Sequence, residues 1–120
     1  PTAFAELERA ASATGVLPAA VYDTFLAALP RVAQRAELPT LFDRVAAMME
    51  RSGVRPTPSI IGRHMRAITS GPNPCAAAGR VHALDTALRA AAASRDLTPA
   101  EAAPAAVALA RVGAIPRHPH

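Results

Sequence analysis

The chain has 120 residues, of which 51% are hydrophobic, 18% charged and 3% aromatic. Such a length accommodates one domain, and the apolar content excludes a disordered polar chain. The 31 alanines, together with the scarcity of aromatic residues, exclude β-sandwiches and barrels and predict an all-α protein, because alanine is the strongest helix former.

Charge and cysteine usage narrow the class further. Thirteen arginines, with no lysine, and nine acidic residues give a net charge of +4 at pH 7. Arginine suits phosphate contacts, although GC-rich coding DNA produces the same bias. A single cysteine, Cys75, excludes an internal disulfide framework, and no apolar run is long enough to predict a membrane span. Because the chain begins at Pro1 rather than at Met, we expect a processed chain or a piece of a longer protein.

The spacing of apolar residues, prolines and glycines predicts six helices. The first covers residues 3–13. The second covers residues 19–29, where Pro30 is expected to end or bend it because proline lacks an N–H. Thr40 is the predicted N-cap of the third helix, which runs to about Arg51.

The last three helices have similar start signals. Thr57 or Ser59 is the predicted cap of the fourth helix, and the fifth covers residues 80–94. Thr98, followed three residues later by Glu101, predicts a capping box at the start of the sixth. The apolar faces predict a core of Phe25, Leu26, Leu41, Val45, Met48, Ile61, Met65, Ile68, Leu84 and Leu88.

One short sequence motif recurs between the helices. It is ATGVLP at residues 13–18 and RSGVRP at residues 51–56, which lie 38 residues apart, and a weaker copy is SRDLTP at residues 94–99. A repeated unit of two helices is typical of an α-solenoid, in which stacked helix pairs bury one another's apolar faces.

Four segments resemble the pentatricopeptide repeat family. They are FAELERAASATGVLP (4–18), which resembles the end of a preceding repeat, VYDTFLAAL (21–29), LFDRVAAMMERSGVRP (41–56) and AGRVHALDTALRAA (78–91). The resemblance implies an α-solenoid of stacked antiparallel helix pairs, with about two and a half repeats in a single helical-repeat domain over residues 1–120. The implied units are the second helix of a preceding repeat (3–15), two repeats (19–56 and 57–99) and the first helix of a further repeat (99–113). Another helix-pair repeat and an ordinary helical bundle stay open as alternatives.

The resemblance also implies a function, since this family binds single-stranded RNA in mitochondria or chloroplasts through the groove that its first helices line. It places Thr24, and Arg63 in the next repeat, where the family reads a base. It also places Arg31, Arg63 and Arg66 on first helices, where we expect phosphate contacts. The expected partners are single-stranded or ribosomal RNA and neighbouring protein subunits, in RNA processing, stability or translation.

Two other functions stay open. One is a protein-interaction scaffold, for example in an organellar ribosome, because Arg63 is too long for the usual base contact. The other is the helical accessory part of an RNA-processing enzyme. We expect no catalytic activity, cofactor or metal in this chain, since it has no glycine-rich phosphate loop and no paired catalytic residues. Its histidines, which are His64, His82, His118 and His120, lack the spacing of metal ligands.

Overall fold

A computed structural model describes Ala5, Arg9 and residues 17–71, 73–93 and 96–113. These residues are helical or connecting segments, with no strand among them. The helices are α1 (Ala19–Val32), α2 (Leu38–Arg51), α3 (Pro58–Ile68), α4 (Ala78–Ala92) and α5 (Pro99–Arg111), and short 3₁₀ turns precede α2 (Arg35–Glu37) and α4 (Pro74–Ala77). The all-α prediction is therefore confirmed. The predicted first helix, apart from Ala5 and Arg9, and the two tail histidines lie outside the described residues.

Two predicted helix starts are confirmed by their hydrogen bonds. The Thr57 Oγ1 accepts the Ile60 N–H at 3.3 Å at the start of α3. At the start of α5, the Thr98 Oγ1 accepts the Glu101 N–H at 3.2 Å, and the Glu101 carboxylate accepts the Thr98 N–H at 2.9 Å. Both caps satisfy N–H groups that have no partner inside the helix.

The predicted start of the helix after Thr40 is wrong. α2 begins at Leu38, directly after the 3₁₀ turn that starts behind Gln34. The Glu37 carboxylate accepts the Gln34 N–H at 3.1 Å, so the chain is already turning when it reaches Thr40. Pro39 lies in the first turn of α2, where a missing N–H costs nothing.

Helix ends also differ slightly from prediction. α1 continues past Pro30 and ends at Val32, because a proline near the end of a helix removes only one late hydrogen bond. α4 begins at Ala78, two residues earlier than predicted, because the 3₁₀ turn before it leads directly into the helix.

The central helix of the molecule is α3, which packs against all four other helices. Two hydrophobic clusters meet along it. Ile60 and Ala67 belong to the cluster formed with α1 and α2, whereas Ile61, Met65 and Ile68 belong to the cluster formed with α4 and α5. α3 therefore joins the two halves of the core within a molecule measuring 55 × 34 × 22 Å.

Most of the predicted core is buried. Eight of the ten residues are buried, and Phe25 and Leu84 are half-buried. On α1, Tyr22 and Leu26 are buried, whereas Val21 is 40% exposed. Two apolar stripes lie side by side on this helix, and packing buries the one that carries the tyrosine ring.

Candidate functional site

The ends of three alternating helices meet at one cavity. Arg31, Arg66 and Arg111 lie in the last turns of α1, α3 and α5, and all three line a cavity of about 380 Å³. Arg35, from the 3₁₀ turn, and Arg63, from α3, line it as well. We call this cavity with its five arginines the arginine groove. Its walls are otherwise largely apolar and include Leu26, Leu38, Phe42 and Pro104.

Local hydrogen bonds hold the groove's components around the end of α3. The Ser70 Oγ donates to the Ala67 carbonyl oxygen at 2.6 Å and lies 3.4 Å from the Arg35 carbonyl oxygen, so the 3₁₀ turn lies against the end of α3. On the other side, the Arg111 Nη1 donates to the Arg66 carbonyl oxygen and to the Thr69 Oγ1, both at 3.4 Å. The end of α3 thus lies between the arginine of the turn and the arginine of α5.

One of the five positive charges has a carboxylate partner. The Arg63 Nε donates to the Asp23 Oδ1 at 3.2 Å, and the Ser59 Oγ donates to the same oxygen at 3.0 Å. For the other four arginines, no carboxylate of the described residues lies within ion-pair distance. The groove therefore carries an excess of positive charge.

Electrostatic repulsion inside the groove acts most clearly on Arg111. Its partial burial and the charges of Arg66 and Arg35 lower the pKa of its guanidinium group. The carbonyl ends of three helices carry partial negative charge, and this stabilises arginines in their last turns. An anion that enters the groove would relieve the remaining repulsion through charge-assisted hydrogen bonds.

The structure brings together some of the residues predicted to bind RNA. Arg31, Arg63 and Arg66 all line the groove, although Arg63 is already paired with Asp23. Thr24 is exposed and does not line the groove, and its hydroxyl donates to the Ala20 carbonyl oxygen at 3.0 Å. The predicted phosphate-binding residues are therefore neighbours, whereas the predicted base-reading threonine lies apart from them.

Sequence reasoning missed Arg35 and Arg111. Each described helix has an arginine in its last turn, Arg51 and Arg89 included, so position within a helix does not single out Arg111. Arg35 belongs to a short 3₁₀ turn, which has no periodic signal.

A polar network joins α2, α3 and α4 outside the groove. The His64 Nε2 lies 2.7 Å from the Asp43 Oδ1, the Arg80 guanidinium donates to the same oxygen, and the His64 ring stacks on Phe42. Burial of the Asp43 carboxyl group raises its pKa, but the hydrogen bonds and charges of Arg80 and His64 outweigh that effect and lower it overall. His64 is thus part of the helix packing.

Comparisons of the chain with protein-family models, with curated proteins and with solved structures gave no match. In the described part of the chain, no cluster of three or more histidine, cysteine or acidic side chains could hold a metal ion. None of the helices described there has both the length and the apolar character needed to cross a membrane.

Proposed function

We propose that the chain is a helical-repeat module that binds single-stranded RNA, with mitochondria or chloroplasts as its location. The observation that carries this proposal is the arginine groove, in which four arginines from three helices and a turn lack a carboxylate partner within the described residues. Arginine matches the geometry of phosphate oxygens, and phosphate contacts supply most of the affinity for nucleic acid. The proposal includes no catalytic step.

A solenoid of pentatricopeptide type is part of the same proposal. Its support is the alternation of α1, α3 and α5 along the chain, each of which brings an arginine of its last turn to the groove. The Gly-x-x-Pro motif after α2 also supports a solenoid, because Gly53 in that motif has a φ of +72°, which allows a tight turn at the end of the helix. In helical repeats, equivalent helices line one shared face.

We propose that the groove contacts the RNA backbone rather than its bases. The Thr24 hydroxyl bonds to its own helix, and Arg63 is paired with Asp23. The aromatic ring in the groove wall, Phe42, is only 2% exposed and so offers little surface for base stacking. Binding should therefore vary little with RNA sequence.

The test measures how RNA binding depends on salt. Binding of a labelled single-stranded RNA is followed by fluorescence anisotropy over a series of salt concentrations. The Arg31→Ala and Arg66→Ala double variant removes two exposed groove cations and leaves no described carboxylate without its partner. We expect the slope of log affinity against log salt to flatten by about 1.4, because each phosphate contact on a single strand contributes about 0.7.

The matched control is the Arg51→Ala and Arg55→Ala double variant, which removes the same charge from two exposed residues that do not line the groove. It should retain most of the parent's slope. Equal losses in both double variants would mean that RNA is attracted diffusely to a basic chain. If the parent binds no single-stranded RNA at low salt, the proposal fails, and a protein-interaction scaffold, for example in an organellar ribosome, becomes the function to test.

A further inference from the structure

Three arginines of the groove, Arg35, Arg66 and Arg111, line it near the last turn of α3. Arg66 belongs to that turn. The Arg35 backbone carbonyl oxygen lies 3.4 Å from the Ser70 Oγ, just after that turn, and the Arg35 side chain lines the groove together with Arg66. Arg111 is brought there by the hydrogen bonds of its Nη1 to the Arg66 carbonyl oxygen and the Thr69 Oγ1. Of the three arginines, these contacts involve only two backbone carbonyl groups and one guanidinium nitrogen, so most of the side-chain donors stay free for a ligand.

The nearby carboxylates do not neutralise this group. Asp23 pairs with Arg63, and the Glu37 carboxylate accepts the Gln34 N–H instead of pairing with Arg35. Three positive charges thus share one end of the groove, and partial burial of Arg111 together with repulsion by Arg66 and Arg35 lowers the pKa of Arg111. A phosphodiester carries one negative charge, whereas a phosphomonoester carries nearly two at neutral pH and offers three strong acceptor oxygens. The monoester therefore matches this group better in both charge and hydrogen-bonding capacity.

We infer that Arg35, Arg66 and Arg111 form a binding site for a phosphomonoester dianion. We call it the phosphate site. The identity of the molecule that carries this phosphate rests on the proposed function. In an RNA-binding module, the phosphomonoester is the terminal phosphate of the bound strand. A strand bound in this way has one end fixed at the end of α3, while Arg31 and Arg63 lie along the rest of the groove.

Three oligoribonucleotides of one sequence test the inference. They carry a 5′-phosphate, a 3′-phosphate or hydroxyl groups at both ends. We expect one of the phosphorylated forms to bind about tenfold more tightly than the hydroxyl form, which equals one additional charge-assisted hydrogen bond of about 1.4 kcal/mol. Inorganic phosphate, added at constant ionic strength, should compete with the terminal phosphate and so reduce the difference in affinity between the oligonucleotides. It should also raise the melting midpoint of the protein.

Single variants locate the site. Arg66→Ala and Arg35→Ala should each abolish the preference for a terminal phosphate, whereas the exposed Arg51→Ala should retain it. Arg111→Ala also removes hydrogen bonds to the end of α3, so its effect counts only if the melting midpoint is unchanged. If Arg111→Ala fails to fold, Arg66→Ala and Arg35→Ala still test the inference, because both residues are exposed.

The outcomes separate this inference from the proposed function. Equal binding of all three oligonucleotides would overturn the phosphate site and leave the RNA proposal standing. A preference that survives in Arg66→Ala would also overturn it. If inorganic phosphate stabilises the parent but not Arg66→Ala, and no RNA binds, the site stands with a small phosphomonoester as its ligand and the RNA proposal fails. If inorganic phosphate does not stabilise the parent and no RNA binds, both proposals are overturned.

Discussion

Tyr22 combines a well-packed ring with an unsatisfied hydroxyl group. It is fully buried in the cluster between α1 and α2, and its hydroxyl has no hydrogen-bond partner among the described residues. A buried hydroxyl without a partner costs about 1–3 kcal/mol, because the bonds it made to water in the unfolded chain are not replaced. The ring therefore stabilises the fold while the hydroxyl opposes it.

Tyr22→Phe should raise the free energy of unfolding by about 1 kcal/mol, since it removes the hydroxyl and keeps the ring. Urea denaturation would show this as a higher midpoint with an unchanged slope. Tyr22→Ala is the comparison, because it also removes the ring and should cost about 3–5 kcal/mol. A loss of stability in Tyr22→Phe would contradict the prediction by showing that the hydroxyl is bonded in the folded protein.

The sequence predicts those residue roles that depend on near neighbours. Thr57 and Thr98 are correct as helix caps because a cap bonds to a residue three positions away. The contact of Arg111 with Arg66 spans 45 positions and depends on how α5 packs on α3. Periodicity along one helix contains no information about such contacts, so this part of the groove was not predictable.

The close packing of helices α3 and α5 depends on small residues at their contact. A Cβ atom at Gly62 would lie 3.0 Å from the Glu101 carbonyl oxygen and 3.7 Å from the Ala105 backbone nitrogen. Ala105 and Ala108 are buried on the opposite side of the contact. The backbones of the two helices approach closely there, and this approach brings Arg111 to the end of α3.

Gly62→Ala should lower the free energy of unfolding by about 1–3 kcal/mol, because the new methyl group forces the two helices apart. Gly79→Ala in α4 is a matched control, since a Cβ atom there meets nothing within 4 Å. It should stabilise by up to about 1 kcal/mol through helix propensity alone. Thermal denaturation of both variants would measure the contrast, and two shifts of the same sign would contradict it.

Packing also decides helix orientation and limits, which are only partly encoded in the local sequence. On α1, the stripes that contain Val21 and Tyr22 are both apolar, so the sequence predicts a helix without determining which stripe is buried. α2 begins at Leu38 and not at the predicted Thr40. The 3₁₀ turn before it is too short to show a periodic pattern of apolar residues, so the sequence does not indicate where the helix begins. On central α3, Ile61, Met65 and Ile68 are all buried as predicted, and packing against α1 and α2 also buries Ile60 and Ala67.

At the scale of the whole molecule, charge is distributed unevenly. The arginine groove holds cations without partners among the described carboxylates, whereas the Asp43 carboxylate contacts two side chains, His64 and Arg80, from different helices. Asp43 thereby links α2 to both α3 and α4. Because the chain has a net charge of +4 already at pH 7, loss of a carboxylate charge leaves more positive charge unbalanced.

The whole molecule should lose stability in acid in part through Asp43. Its pKa in the folded chain lies below the ordinary value of 3.8, so the folded state favours the charged carboxylate. That contribution is fully present above about pH 4 and is lost as the pH falls through the lowered pKa. Since 40% of the Asp43 side chain is exposed, solvent screening limits the contribution to about 0.5–1 kcal/mol.

Asp43→Asn should therefore be less stable than the parent near neutral pH, and the difference should shrink as the pH falls below about 4, because the parent then loses the same charge. Urea midpoints measured between about pH 7 and pH 2 test this. Asp85→Asn is the control, because Asp85 pairs with Arg89 inside α4 and links no two helices. A difference between Asp43→Asn and the parent that stays constant down to pH 2 would mean that Asp43 acts through its shape rather than its charge. A difference that vanishes in acid would identify the charge of Asp43 as the link between α2 and the two helices α3 and α4.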